Sequence, residues 1–271
     1  MESADRAAKG RAERGRLRRG ALALAAVAVA ALVAPACQRR VDLGDIGDGA
    51  ASLLWSATFE RGDLSEWLGD GQGGKFAENT TVDPLPTTVT AHGGRYAGLV
   101  TLSPSASMTS TNYLFRDQPS PSAAYYSAWF YVPSTITVSV WLSLTHFRGS
   151  MTADGNNLYA LWDVNLYPRP GGGLAAQLYD YTTQINYRQP VPVVFPVDTW
   201  VQVEVYLAKA TDASGQITVW QDGIPIFNRP GVTVLNDWVQ WDAGGASDEL
   251  TPSPAAIYLD DAAISTTRLG D

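Results

Sequence analysis

The chain has 271 residues, a formal net charge of −8 and a single cysteine. One cysteine excludes an intramolecular disulfide, so the fold must depend on its hydrophobic core. Residues 1–36 hold seven of the 19 basic and three of the 27 acidic residues, which leaves 12 basic against 24 acidic residues in the remainder. Such an acidic surface argues against a nucleic-acid partner, because phosphate binding needs clustered Lys and Arg.

The first 36 residues have the three parts of a secretory signal peptide. Several arginines lie between residues 11 and 19, a run of 13 apolar residues follows at 21–33, and the small residues of 34–36 precede Cys37. The apolar run would rise about 20 Å as a helix, short of the roughly 30 Å needed to span a bilayer. We therefore predict a cleaved signal rather than a permanent membrane span.

With cysteine directly after the cleavage site, this segment resembles a bacterial lipoprotein signal. The resemblance implies lipidation of Cys37, export, and a lipid anchor in the cell envelope. Ala34 departs from the leucine that is usual three residues before the cysteine. Gln38, in place of an aspartate associated with inner-membrane retention, favours the outer membrane. The alternative is a buried free cysteine, which does not account for the order of basic, apolar and small residues around it.

The rest of the chain divides into a short tether and one domain. Residues 37–51 are rich in Gly and Asp and contain no aromatic residue, which is typical of a flexible tether. From residue 52 to 268, aromatic residues, Val and Thr dominate, Gly, Pro, Asn and Asp punctuate, and no helical period persists over three turns. We predict an all-β domain, a two-sheet antiparallel β-sandwich.

Several segments alternate with a period of two, which separates an aliphatic face from a polar and aromatic face. The alternation is clearest at residues 125–132, 158–167, 174–181 and 200–207. The aliphatic positions are predicted to lie between the sheets. The opposite positions, with Trp141, form the predicted binding set on a concave sheet: Trp129, Tyr131, Trp141, Tyr159, Asp163, Asn165, Gln177, Glu204 and Tyr206.

This mixture of side chains suits a glycan. Sugars present apolar C–H faces that stack on aromatic rings, and hydroxyls that need directed hydrogen-bond partners. The alternative is that these are ordinary solvent-facing strand residues, since Tyr and Thr are common in strands. The pattern therefore indicates a polysaccharide partner without excluding a face that binds nothing.

Three segments resemble concanavalin A-like jelly rolls of secreted bacterial carbohydrate-active proteins. WSATFERGDLSEW, Trp55 to Trp67, is similar to their first strand and turn. Asp198 to Asn228 resembles their hairpin, and AIYLDDAAIS, Ala256 to Ser265, resembles their closing strand. The resemblance implies a jelly roll over residues 52–268 and a function related to carbohydrate.

Two activities found within that fold are considered. The E-x-D-x-E triplet of glucanase-type glycosidases is absent, which makes that activity improbable. Jelly-roll polysaccharide lyases often carry a Gln-x-His pair on a cleft-facing strand, and the corresponding residues here are Leu144-Thr145-His146, so the glutamine is missing. The resemblance implies this candidate catalytic set: His146, Arg148, Tyr179, Tyr181 and Arg188.

His146 has the same parity as Val140, Leu142 and Leu144, so it can reach a cleft only through a β-bulge or at a strand end. An ordinary strand-end histidine is the alternative, and His92 is read as a loop residue. We therefore predict a polysaccharide-binding protein. A lyase acting on a uronate glycan by β-elimination and a non-catalytic adhesion domain are the alternatives.

No cofactor is required by this reading, but a structural calcium ion is considered. Many such jelly rolls share one between the first and last strands, where this chain has Glu60, Asp63, Asp260 and Asp261. Carboxylate oxygens suit a hard cation. His and Cys are too scarce for a zinc site.

Overall fold

The structure is a computed structural model, and it describes residues 52–76, 80–84, 89–105, 108–119, 121–152 and 155–270. The predicted signal peptide, Cys37 and the predicted tether lie outside the described residues. No helix within the described residues is long and apolar enough to cross a membrane.

The secondary structure is almost entirely β, as predicted. The elements in chain order are β1 (Leu53–Ala57), α1 (Ser65–Leu68), β2 (Gly73–Phe76), β3 (Thr80–Pro84), β4 (Tyr96–Leu102), β5 (Ser110–Pro119), β6 (Ala123–Tyr131), β7 (Thr137–Val138), β8 (Leu142–Ser150), β9 (Leu158–Pro168), β10 (Leu174–Asp180), β11 (Ile185–Arg188), β12 (Val194–Phe195), β13 (Trp200–Ala208), β14 (Gln216–Gln221), β15 (Ile224–Pro230), β16 (Trp238–Ser247), β17 (Leu250–Thr251) and β18 (Ala255–Ser265).

Two antiparallel sheets contain most of these strands. Sheet A has the order β15-β14-β13-β6-β18-β4-β3, and β1 also pairs with β18. Sheet B has the order β11-β10-β9-β8-β16-β5-β2, and β12 also pairs with β10. The short strands β7 and β17 pair separately. The predicted fold class, an antiparallel β-sandwich, is confirmed.

The aliphatic faces of the strands meet between the sheets, as the alternation predicts. In sheet A, Phe130 and Val203 are among the buried residues of the core. Tyr126 of β6 contacts sheet B through Phe147 of β8, at 5.1 Å between ring centroids, and through Trp241 of β16, at 5.5 Å. This packing leaves one outward face on each sheet for polar and aromatic side chains.

The helix α1 fixes the start of the domain onto this core. Its Trp67 is fully buried and lies 4.6 Å from the Trp55 ring of β1. The Glu66 carboxylate accepts hydrogen bonds from the backbone N–H groups of Thr58, at 2.9 Å, and Phe59, at 2.8 Å. The segment Trp55 to Trp67 is therefore a single packed unit at the beginning of the sandwich.

Candidate functional site on the outer face of sheet B

Two neighbouring strands place polar and aromatic side chains on the outer face of sheet B. Val164 and Leu178 point into the core, so the residues next to them in β9 and β10 point outward. The register pairs Asn165 with Gln177 and Asp163 with Tyr179. Four residues predicted to bind substrate or act in catalysis are thereby brought together.

These side chains line a depression of about 280 Å³, here called the β9–β10 cavity. Its lining is Trp141, Asp163, Asn165, Gln177, Tyr179, Tyr181 and Asn186. The volume is close to the lower end of the range for small-molecule pockets, about 300 Å³. Rings, amides and one carboxylate surround one space, which is the mixture that sequence reasoning associates with a sugar unit.

A β-bulge brings His146 to this outward face. The pairing of β8 with β9 shifts register between Ser143 and Thr145. Leu144 and Phe147 are both fully buried in the core, although residues separated by three positions in a regular strand face opposite sides. The extra residue at the bulge resolves this conflict. The condition stated from the sequence, that His146 reaches the cleft only through a bulge or a strand end, is met by a bulge.

His146, Asp163 and Tyr181 form one hydrogen-bonded chain. The His146 Nδ1 atom contacts the Asp163 carboxylate, and the Tyr181 hydroxyl donates to the other oxygen of Asp163 at 2.7 Å. Because an ionised carboxylate can only accept, Nδ1 carries a hydrogen. Among the described residues, the buried His146 Nε2 atom has no hydrogen-bond partner. Burial and the Asp163 charge raise the pKa of Tyr181 far above its usual value, so its hydroxyl stays protonated.

A second ion pair lies beside this chain. Arg148 Nε donates to Asp242 of β16 at 2.8 Å, and Asp242 is opposite His146 in the register of β8 and β16. Asp242 is fully buried, which raises the pKa of its carboxyl, while the charges of His146 and Arg148 oppose that rise. The basic residues His146 and Arg148 of β8 therefore lie between two acidic residues on the neighbouring strands, Asp163 of β9 and Asp242 of β16.

Arg188 of β11 lies at the other side of the cavity. Its Nε donates to Gln177 Oε1 at 2.9 Å, and its guanidinium lies 4.2 Å from the centre of the Tyr167 ring. Its contact with Gln177 connects it to the lining. All five residues of the predicted catalytic set thus lie in or next to the β9–β10 cavity.

Five residues of the predicted binding set do not lie in this cavity, and four of them belong to sheet A. Trp129 and Tyr131 belong to β6, and Glu204 and Tyr206 belong to β13, and both strands belong to sheet A. Their outward face is on the opposite side of the sandwich. The Glu204 carboxylate already accepts bonds from Arg268 Nε and the Leu269 N–H, at 3.0 and 2.7 Å. The prediction of one groove containing all nine residues is therefore wrong.

Tyr159 is also separated from the others. A second register shift of β8 against β9 falls between Phe147 and Arg148, and it changes the parity of β9 before Trp162. Tyr159 consequently shares the face of the buried Leu161 and not the face of Asp163. Its side chain is 52% exposed, at the end of the strand.

Two residues of the site were missed by sequence reasoning. Tyr113 of β5 is buried, with its ring 6.1 Å from His146, and burial and Asp163 raise its pKa well above the usual value. Asp242 is the other. The alternation of Val239, Trp241 and Ala243, all buried, is a signal that could have placed Asp242 on the outward face.

The carboxylates predicted to bind calcium are engaged by the protein itself. Glu60 accepts the backbone N–H groups of Arg95 and Tyr96, at 2.7 and 2.9 Å, and Asp63 accepts that of Ser65. Asp260 accepts the N–H of Gly93, at 3.2 Å. Each of these three carboxylates therefore has an oxygen that already accepts from a backbone N–H group. No group of three or more His, Cys, Asp or Glu within the described ranges is arranged to hold a metal ion.

His92 lies in a loop, as predicted, and contributes to the same region. Its Nδ1 atom is 2.6 Å from Asp261, and its ring stacks on Trp129 at 3.6 Å. This cluster is on the side of sheet A, away from the β9–β10 cavity.

No family model and no curated protein matches this chain. Solved structures do match it. A glucuronan lyase from the fungus Trichoderma reesei is 16% identical, with a TM-score of 0.56 over 80% of this chain and 96% of that one. A double mutant of the alginate lyase Aly36B, in complex with an alginate tetrasaccharide, is 14% identical, with a TM-score of 0.57 over 80% of this chain and 98% of that one.

A further structural neighbour is described as a cellulose-induced protein, Cip1. It is 15% identical, with a TM-score of 0.54 over 80% of this chain and 99% of that one. At identities this low, the structural similarity establishes the fold alone. The chain has the jelly-roll β-sandwich fold of these polysaccharide lyases.

Proposed function

We propose that this protein binds a polysaccharide at the β9–β10 cavity. The observation that carries the proposal is the convergence of aromatic rings, amides and a carboxylate on one space, from β9, β10, β11 and the residue before β8. Aromatic rings can stack on the apolar face of a sugar, and amide groups can both donate to and accept from its hydroxyls. The structural neighbours that act on polysaccharides support a glycan as the ligand.

The unsatisfied polar atoms of the cavity add to this support. The Asn165 Oδ1 atom, which is buried, has no hydrogen-bond partner among the described residues. A buried acceptor without a partner costs roughly 1–3 kcal/mol, and a sugar hydroxyl would supply the missing donor. Asn165 lines the β9–β10 cavity, where such a hydroxyl would be held.

Affinity gel electrophoresis of the full chain against a panel of polysaccharides tests this proposal. We expect retardation by at least one polysaccharide in the panel. Tyr179→Ala should reduce that retardation, while the matched change Tyr206→Ala on sheet A should not. Equal mobility in every gel would contradict the proposal and favour the reading as an adhesion or structural domain.

A uronate lyase is the second candidate function, favoured by the arrangement of His146, Tyr181 and Arg188 around the same cavity. β-Elimination removes the proton at C5 of the uronate, breaks the bond to the leaving oxygen and returns a proton to that oxygen. The Tyr181 hydroxyl would protonate the leaving oxygen and Arg188 would offset the carboxylate charge. His146 would accept the C5 proton only after its buried Nε2 atom became exposed to the substrate. Ultraviolet absorbance of unsaturated products, tested on alginate and glucuronan, would reveal this activity.

For localisation, we propose export and a lipid anchor at Cys37, on the sequence pattern given above. Cys37→Ser should release the protein from the membrane fraction or leave an unprocessed precursor. Cell fractionation measures the outcome, and unchanged partitioning of the variant would contradict the anchor.

A further inference from the structure

A second cavity adjoins the first across a fixed pair of side chains. This Asp248 cavity has a volume of about 670 Å³. Among the residues that line it are Pro104, Met108, Thr109, Asp248, Glu249 and Leu250. It is formed at the ends of β5 and β16 and beside β17, next to the residue Trp141 that lines the β9–β10 cavity.

The Trp141–Asp248 pair is held rigidly between the two cavities. Trp141 Nε1 donates to Asp248 Oδ2 at 3.0 Å, and Thr109 donates to the other carboxylate oxygen. The backbone carbonyl of Trp141 accepts a hydrogen bond from Ser247 Oγ at 2.7 Å. Trp141, which lines the β9–β10 cavity, is thus fixed by both its indole and its main chain to residues at the edge of the Asp248 cavity.

The charged residues that line the two cavities are all acidic. Asp163 lines the first cavity, and Asp248 and the exposed Glu249 line the second. None of the described lining residues of either cavity is Lys, Arg or His. Beside the first cavity, Arg148 is paired with Asp242, whereas Arg188 donates to the neutral side chain of Gln177 and keeps its positive charge.

We infer that the binding surface continues past Trp141 into the Asp248 cavity, and that the chain it takes is a neutral polysaccharide. This inference rests on the proposed polysaccharide binding and deepens it. Carboxylates accept hydrogen bonds from sugar hydroxyls, whereas they repel a polymer that carries a carboxylate on every unit. The inferred ligand therefore differs from the alginate and glucuronan named for the structural neighbours.

The test uses the full chain in gels containing neutral polysaccharides or the uronates alginate and glucuronan. We expect retardation by a neutral polysaccharide and none by the uronates. With oligosaccharides of the retained polymer, affinity should continue to rise beyond the length that fills one cavity. Glu249→Gln should weaken binding of the long oligosaccharides and leave that of the shortest unchanged.

The matched control is Asp237→Asn. Asp237 is exposed, paired with Lys209, and precedes β16, whereas Glu249 follows it, so both variants remove one negative charge at opposite ends of this strand. Since exposed charge pairs contribute about 0.2–1 kcal/mol, Glu249→Gln should increase any residual uronate binding about 1.4- to fivefold and Asp237→Asn should not.

The outcomes separate the inference from the function on which it rests. Uronate retention as strong as neutral retention, or equal effects of the two variants, would overturn the inference and leave polysaccharide binding standing. If no polysaccharide is retained, the proposed function itself is wrong and the inference fails with it.

Discussion

Replacing Asp163 with Asn tests the hydrogen-bonded chain at the centre of the site. Asp163 accepts from both His146 Nδ1 and the Tyr181 hydroxyl, and it is almost fully buried. An asparagine of the same shape has one oxygen and one NH₂ group, so it can accept from only one of these two donors. The variant must leave the other donor without its partner.

The expected cost follows from the bonds that are lost. Hydrogen bonds to a charged group contribute about 1.5–3 kcal/mol each, and neutral ones about 0.5–1.5 kcal/mol. Losing one charged bond and weakening the other should lower the free energy of unfolding by about 2–4 kcal/mol. For a domain of this size, that corresponds to a fall in Tm of roughly 4–16 °C.

Urea and thermal unfolding of the full chain, followed by tryptophan fluorescence, measure this cost. Tyr181→Phe is the matched control, because it removes one of the two bonds and retains the carboxylate. The double variant should be less destabilised than the sum of the single variants, since the bond between these residues cannot be lost twice. An Asp163→Asn protein within about 0.5 kcal/mol of the wild type, or strict additivity, would refute this account of the chain.

Three further predictions test the two faces of the sandwich, its core and the buried Asp260 of β18. Trp141→Ala should weaken polysaccharide retention about two- to tenfold, since aromatic contacts contribute about 0.5–1.5 kcal/mol beyond area burial. Trp129→Ala, on sheet A, should leave retention unchanged. The reverse result would place the binding site on sheet A and contradict the proposal. Leu144→Gln, which introduces the residue typical of lyases, should destabilise the fold by about 1–3 kcal/mol and create no lyase activity, because position 144 is in the core and would bury an amide without hydrogen-bond partners; urea unfolding and product absorbance measure these outcomes, and unchanged stability or new lyase activity would contradict the prediction. Burial and the neighbouring Asp261 raise the pKa of Asp260 to about 8, so the folded state retains a proton that the unfolded state loses, and this contribution to stability falls as pH rises from about 4 to 8. In urea unfolding, the stability of Asp260→Asn relative to wild type should therefore be more favourable at about pH 8 than at about pH 5. A difference that does not change with pH would contradict the assignment.

The sequence predicts the sandwich and the face of most individual strand residues. Alternation of apolar and polar residues depends only on the period of a strand, so the outward position of Glu204 could be read as readily as that of Asn165. The pattern does not state which sheet a strand joins, because pairing is decided by contacts distant along the chain. β6 and β13 pair with each other in sheet A, and their outward residues were therefore assigned to the wrong face of the molecule.

The position of His146 shows a second limit of periodicity. Every residue after a bulge changes face, and no residue type marks the bulge at Leu144 unambiguously. Sequence reasoning could state that His146 reaches the cleft only through a bulge or at a strand end, but only the pairing of β8 with β9 shows that a bulge is present. Tyr159 was misplaced for the same reason, by the second register shift between β8 and β9.

The bulge in β8 restricts how this strand can vary between related proteins. Deleting the extra residue Leu144 would restore regular alternation and would leave His146 outward and Phe147 in the core, because the residues on either side of Leu144 pair with consecutive residues of β9. A deletion or insertion elsewhere in β8 would exchange the two faces of the strand beyond that point, whereas a substitution changes one side chain at a time. Variation in length should consequently be confined to the bulge and to the loops at either end of β8.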